Sequence, residues 1–305
     1  MTHDRYLKNL QVPASPVDVI LDTDTFNETD DQFALSYLLR SEEKLHVQGI
    51  CAAPFLNELS ISPQDGMEKS YCEILKLLRL AGREDLNSRV YRGSPCYMQD
   101  EQTPVPSPAA DFMVQKASLY SPENPLYIVA IGAITNVASA LLIAPEIKEN
   151  VVIVWLGGHG HHMPRNDEFN LVQDIAAARI VFGCGAPVVQ LPCVGVVDRF
   201  SSSRYELEHW LRGKNALSDY LLETIIAAAE SYAAGKPWTR VIWDVTAIGW
   251  LLNDGNRFME SELRPSPIPE YNSTWSFDAA RHPIRYVSQI HRDALFEDLF
   301  QKLTR

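Results

Sequence analysis

Residues Val17–Leu39 read VDVILDTDTFNETDDQFALSYLL, an apolar run that ends in carboxylates and restarts with helical spacing. Val17–Leu21 has the continuous apolarity of a buried strand, and Phe33, Ala34, Tyr37 and Leu38 recur as one face of a helix. Between them stand Asp22, Asp24, Asp30 and Asp31. Carboxylates so close repel one another unless a cation holds them, and a helix start favours ionised Asp. The stretch therefore predicts a strand, an acidic loop and a helix built around a hard metal ion with oxygen ligands.

Working outward, the same alternation repeats. HVQGICAAPF, RVYRG, Leu126–Ile131, Val151–Leu156 and Pro187–Leu191 are strand candidates. Helical spacing marks Gly66–Ala81, Ala109–Leu119, Thr135–Leu142 and Ile175–Phe182, with a Pro-rich loop over Ser94–Pro108. Continuous apolar strands between helices predict an α/β fold with an open, mostly parallel (mixed) sheet flanked by helices, a Rossmann-like core. Past Val197 the pattern turns mainly helical (Arg204–Leu211, Ala216–Ala234, Asp244–Leu252), a helical C-terminal elaboration. Pro265, Pro267 and Pro269 read as one loop, RYVSQI as a late strand, and residues 1–16 as a polar surface lead-in. With no repeat and no break in composition, residues 1–305 read as a single domain. In such sheets ligands sit at the carboxyl ends of the strands, where the aspartates fall.

A net charge of −12 leaves no electrostatic footprint for a nucleic acid polymer, and an anionic membrane surface would repel the chain. Cys51, Cys72, Cys96, Cys184 and Cys193 are odd in number and lack CxxC or zinc spacing, so they read as reduced thiols of a cytoplasmic protein. The N-terminal stretch MTHDRYLKNLQVPASPVDV has no apolar core long enough for a signal peptide, and no later apolar run is long enough to span a bilayer.

DTDTFNETDDQFAL resembles DTDPGxDDAxAL, the hallmark of the calcium-dependent nucleoside hydrolases, the inosine-uridine-preferring family. It carries the same acids with two extra residues and no Pro-Gly. VAIGAITNVASAL resembles that family's strand-Gly-LTN-helix element, LGG with Glu168–Asn170 (EFN) its sugar-binding segment, and WDVTA from Trp243 its late element. These matches span Ile20–Ile248.

The resemblance implies that Asp24, Asp31, Asp244 and the carbonyl of Ile131 hold Ca²⁺ with Asp22 beside them, and that Asp30 is the base for a Ca-bound water. A cation lowers the pKa of water, and a carboxylate in reach can take its proton. Glu168 and Asn170, with Asn57 and Asn166, would meet ribose hydroxyls, and negative groups around the ring would favour an oxocarbenium-like sugar. Trp243 stands where other members have a His acid, which implies leaving-group help by stacking and a purine lean. The family is commonly dimeric or tetrameric, so a homodimer or homotetramer acting on a small nucleoside, in purine or pyrimidine salvage, is expected. Trp238, Tyr97 and His282 are rim candidates. His159, His161 and His162 read as loop residues rather than a transition-metal site.

Two other readings stand beside this one. A non-hydrolytic, metal-dependent nucleoside- or sugar-binding protein is favoured by the insertion next to Asp30. A Mg-dependent phosphatase of the haloacid dehalogenase type also opens with a strand and DxD, and would use Asp22 as nucleophile. An EF-hand is disfavoured, because Phe26 and Asn27 fall where a ligand and the invariant glycine belong.

Overall fold

The computed structural model describes residues 1–305. The chain opens on a helix, α1 (His3–Asn9), capped by Thr2, within the stretch that the sequence marks only as a polar surface lead-in. Its polar residues conceal it from an apolar count, but the Thr2 cap and Asp4 in the first turn are start signals.

The apolar runs become β1 (Val17–Thr23), β2 (Leu45–Ala52), β3 (Val90–Arg92), β4 (Leu126–Ala130), β5 (Val151–Leu156) and β6 (Val188–Leu191). Between them lie α2 (Asp30–Leu39), α3 (Pro63–Leu80), α4 (Pro108–Ala117), α5 (Thr135–Ile143), the short α6 (Phe169–Gln173) and α7 (Ile175–Gly183). Ser62 and Ser107 cap α3 and α4, each followed by a Pro in the first turn, where a missing N–H costs nothing. Ser94–Ser107 carries no helix or strand, as its prolines predict.

The later chain holds β7 (Ser201–Ser203), α8 (Arg204–Leu211), α9 (Ala216–Ala233), β8 (Thr239–Val241) and α10 (Val245–Leu251). It ends with β9 (Met259–Pro265), β10 (Ile268–Glu270), β11 (Thr274–Ser276), β12 (Pro283–Ile290) and α11 (Arg292–Leu303). The proline stretch is thus not one loop: Pro265 closes β9, and Pro269 sits in β10, which pairs only with β11. Such a short edge tolerates a residue without an N–H.

The main sheet is eight-stranded, in the order β3-β2-β1-β4-β5-β6-β12-β9. Every pairing is parallel except β12 with β9. Its two faces follow the period of two along each strand. Val19 and Leu21 enter one core with α2, α9, α10 and α11, while Ile20 enters the other with α4, α5 and α7. The chain runs outward from β1 to β3, then returns to lay β4 on the other side of β1. This reversal opens a crevice at the carboxyl ends of β1 and β4.

Candidate active site

The end of β1 is pinned from both sides. The Ile131 amide donates to Asp22 O at 2.9 Å and the Ala53 amide to Thr23 O at 2.8 Å. Asp22 is fully buried, and Asn136 Nδ2 donates to its Oδ1 at 2.8 Å while Asn136 Oδ1 takes the Ser94 amide at 2.7 Å. Asp24 follows against Gly132, where a Cβ would stand 2.8 Å from Asp24 Oδ1. That close approach explains the glycine in VAIGA.

Two buried helices aim their starts at this point. All ten residues of α2 are buried, and so is every residue of α10. Asp30 and Asp31 occupy the first turn of α2, and Asp244 is the N-cap residue of α10. One carboxylate oxygen from each of Asp30, Asp31 and Asp244 lies within 4.8 Å of the others. Asp31 is the hub, facing Asp24 and Asp244 and receiving the Thr23 hydroxyl.

Burial, ahead of any other cause, pushes the Asp22 and Asp31 carboxyls up to about 7. It also raises Asp24, Asp30 and Asp244 well above the usual range, helped by the charges of Asp31 on Asp24, Glu28 on Asp30 and Asp30 on Asp244. A crowd of buried acids must either take protons or share a cation. Asp22 Oδ2 and Asp24 Oδ1 are buried with no hydrogen-bond partner, so the donor set is all oxygen and incompletely satisfied. These residues fit a hard divalent cation.

The pocket above the cluster has a volume of about 180 Å³. Asp30, Asp31, Asp244, Ile131, Glu168, Asn170 and Trp243 all line it. Asn170 Nδ2 donates at 3.1 Å to the carbonyls of Ile131 and Leu156. Glu168 caps α6 and accepts three backbone amides, from Gly158, Asn170 and Leu171, at 2.8–2.9 Å. Burial raises its carboxyl and those amides oppose the rise.

Asn57 and Asn166, expected to meet ribose hydroxyls, do not line the pocket. Asn57 Nδ2 donates to Asn27 Oδ1 at 2.7 Å, and Asn166 Oδ1 accepts the His159 amide at 2.8 Å beneath the turn at Gly158, whose φ is +74°. The remaining rim candidates lie elsewhere. Trp238 lines a different groove, Tyr97 donates to Gln173, and His282 meets Tyr6 edge-on. Of the loop histidines only His159 reaches the pocket; His161 bonds Gln190 among Trp275, Phe277 and Tyr286.

Sequence reasoning missed Asn27, Glu28, Phe169 and Cys193, which also line the pocket. Phe169 lies inside the EFN segment and was legible as part of it. Asn27 and Glu28 reach the pocket only because the loop is long, a conformation no residue pattern displays.

A small acid-lined pocket at the switch point of a doubly wound sheet, able to hold a hard cation, is where such a fold binds a small-molecule ligand. The family model for the inosine-uridine preferring nucleoside hydrolases matches residues 19–275. The chain belongs to that family, whose enzymes hydrolyse the N-glycosidic bond of ribonucleosides.

Among relatives, the probable uridine nucleosidase 2 of Arabidopsis thaliana is 28% identical over 166 residues, covering 53% of this chain and 49% of that one. This alignment thus spans about half the plant protein's length. The pyrimidine-specific ribonucleoside hydrolase RihB of Escherichia coli (strain K12 / DH10B) is 25% identical over 245 residues, covering 68% of this chain and 74% of RihB. The solved plant nucleoside hydrolase PpNRh1 superposes with a TM-score of 0.76 at 21% identity, over 95% of this chain and 99% of that one, and so shares the fold.

The family decides against the phosphatase resemblance. The structure gives the physical reason, since Asp22 is wholly buried and bound to Asn136 rather than presented as a nucleophile.

Proposed function

We propose that this protein hydrolyses ribonucleosides, with a purine lean, to free base and ribose. The observation that carries the reading is the convergence of Asp30, Asp31 and Asp244 on one point of a ribose-sized pocket. Asp24, Asp31, Asp244 and the Ile131 carbonyl would hold Ca²⁺, with Asp22 behind them. When bound, that ion supplies positive charge that orients ribose hydroxyls and acidifies water.

Asp30 faces the pocket and takes the proton of the attacking water. Glu168 and Asn170 contact the sugar, and their partners fix their orientation. Carboxylates around the ring favour the positive charge that develops on it as the bond to the base breaks. Trp243 offers an aromatic face to the departing base, which supports the purine lean. Asn57 acts through Asn27, and Asn166 through the turn carrying His159.

The binding-protein alternative rests on the insertion before Asp30. The loop nonetheless delivers Asp30 to the pocket at the head of α2, which favours turnover. The sheet draws strands from both ends of the chain, which supports treating residues 1–305 as one unit. A homo-oligomer working in nucleoside salvage in the cytoplasm accords with this reading.

The test is release of reducing sugar from a panel of purine and pyrimidine nucleosides, with and without chelator. Cleavage that chelator abolishes and Ca²⁺ restores is expected. Full activity in chelator, or none on any nucleoside, would defeat the proposal.

A further inference from the structure

The loop Thr25–Thr29 exceeds its counterpart in DTDPGxDD, and its middle reaches the pocket. Asn27 and Glu28 line the pocket beside Asp30, and the same two side chains line a second groove, of about 760 Å³, that runs along α9 past Tyr220 and Tyr232. The loop is therefore the wall between the two cavities. Its beginning is anchored, with the Phe26 amide donating to Ser70 Oγ at 3.2 Å and the Asn27 amide to Asp24 O at 2.7 Å. Its end is not. Thr29 stands at the N-cap of α2 without making a side-chain cap bond, and its buried hydroxyl has no partner. The helix start that carries Asp30 thus lacks its usual fastening.

A fastening comes from the other side of the loop, across the second groove. Arg240 Nη2 on β8 donates to Glu28 Oε2 at 2.7 Å, and Nη1 to the Tyr232 hydroxyl at 3.4 Å. The Arg240 side chain is only 18% exposed, and its Nε is buried without a partner, so Glu28 is its principal contact. The charges of both Glu28 and Arg240 act on Asp30. The strand β8 is held by β7 and leads directly to Trp243 and Asp244. The pair therefore ties the loop that delivers Asp30 to the segment that delivers Asp244.

We propose that Glu28 and Arg240 form a latch that clamps the enlarged loop across the pocket wall and fixes Asp30, which makes both of them positioning residues for the hydrolysis proposed above. An ion pair with one exposed partner adds little to stability, so its value here is geometric. A displacement of about 1 Å at a reacting group can cost roughly 10²-fold in rate.

The test uses Glu28→Gln, Arg240→Gln and the exchanged pair Glu28→Arg/Arg240→Glu in the full chain. Each single variant is expected to lower kcat on inosine by about 10- to 100-fold while KM, Ca²⁺ affinity by calorimetry and melting temperature hold; the exchanged pair restores most of the loss. Hydrogen exchange over residues 26–31 supplies an arm that needs no turnover, rising in the single variants and falling back in the exchange. Unchanged exchange in the single variants overturns the latch. So does an exchanged pair that restores protection without restoring kcat, because the arginine charge would then act directly. If the wild type cleaves no nucleoside, the functional reading fails, while the exchange data still decide whether the latch exists.

Discussion

At the level of single residues, the acids divide by what each one touches. Asp22 is held by Asn136 and withdrawn from the pocket, Asp31 joins the other carboxylates, and Asp30 sits where the loop meets the cavity. Replacing Asp30 with Ala is expected to lower kcat by about 10²–10⁴-fold, the range of a lost general base, with Ca²⁺ still bound in calorimetry. Replacing Asn136 with Ala leaves Asp22 and the Ser94 amide without their partner. Chemical denaturation should show about 1–3 kcal/mol of lost stability.

His161 gives a pH signature opposite in sign to that of the raised acids, over the same range. Burial depresses its imidazole to about 4, while in the unfolded chain it titrates near its ordinary value. Between those values the unfolded state binds more protons at this residue, so the contribution of His161 to stability is full above about 6.5 and drains away as the pH falls toward 4. The loss is at most roughly 3 kcal/mol, reduced by the ring's partial exposure. A His161→Phe variant should flatten that limb in denaturant titrations at stepped pH.

At the level of elements, the parallel strands were legible because burial on both faces leaves an unbroken apolar run, as in Val151–Leu156. The end of the sheet was not. In β9 the sequence MESELRP leaves Glu262 and Leu263 exposed, and an edge strand with so little apolar content carries no periodic signal. The helix α2 was legible from its spacing, but its burial on every side was not. Its polar residues are buried too, Ser36 bonding Gln32 O and Gln32 bonding Glu73. The acids of the site were legible because no soluble loop needs so many behind a buried strand. The roles of Asn27 and Glu28 were not, since they follow from loop length and from Arg240, which is remote in sequence.

The junction after β4 makes a further prediction. The Cβ of a Gly132→Ala variant would press on Asp24 Oδ1, so calorimetry should show Ca²⁺ affinity weakened by at least about tenfold, the 1.4 kcal/mol that a modest displacement costs.

At the level of the whole molecule, folding and ion binding are linked. The buried acids oppose the closed structure until a cation joins them, and a ligand that binds only the folded state at about 100 times its Kd adds about 2.7 kcal/mol. Scanning calorimetry should show the melting temperature falling in chelator and recovering with Ca²⁺. An Asp31→Asn variant, which removes the charge at the hub, should lose most of that response.

The acid cluster also imposes a timetable on synthesis. Asp22, Asp24, Asp30 and Asp31 leave the ribosome early, whereas Asp244 comes with α10 and the strand beside β6 comes later still. Chains grow from the N-terminus at about 5–20 residues per second. For many seconds, then, the nascent protein exposes its repelling carboxylates without the residue that completes them. A prematurely terminated chain would carry most of the sheet and an unfinished set of acids, and quality control would meet a near-complete body with a defective centre.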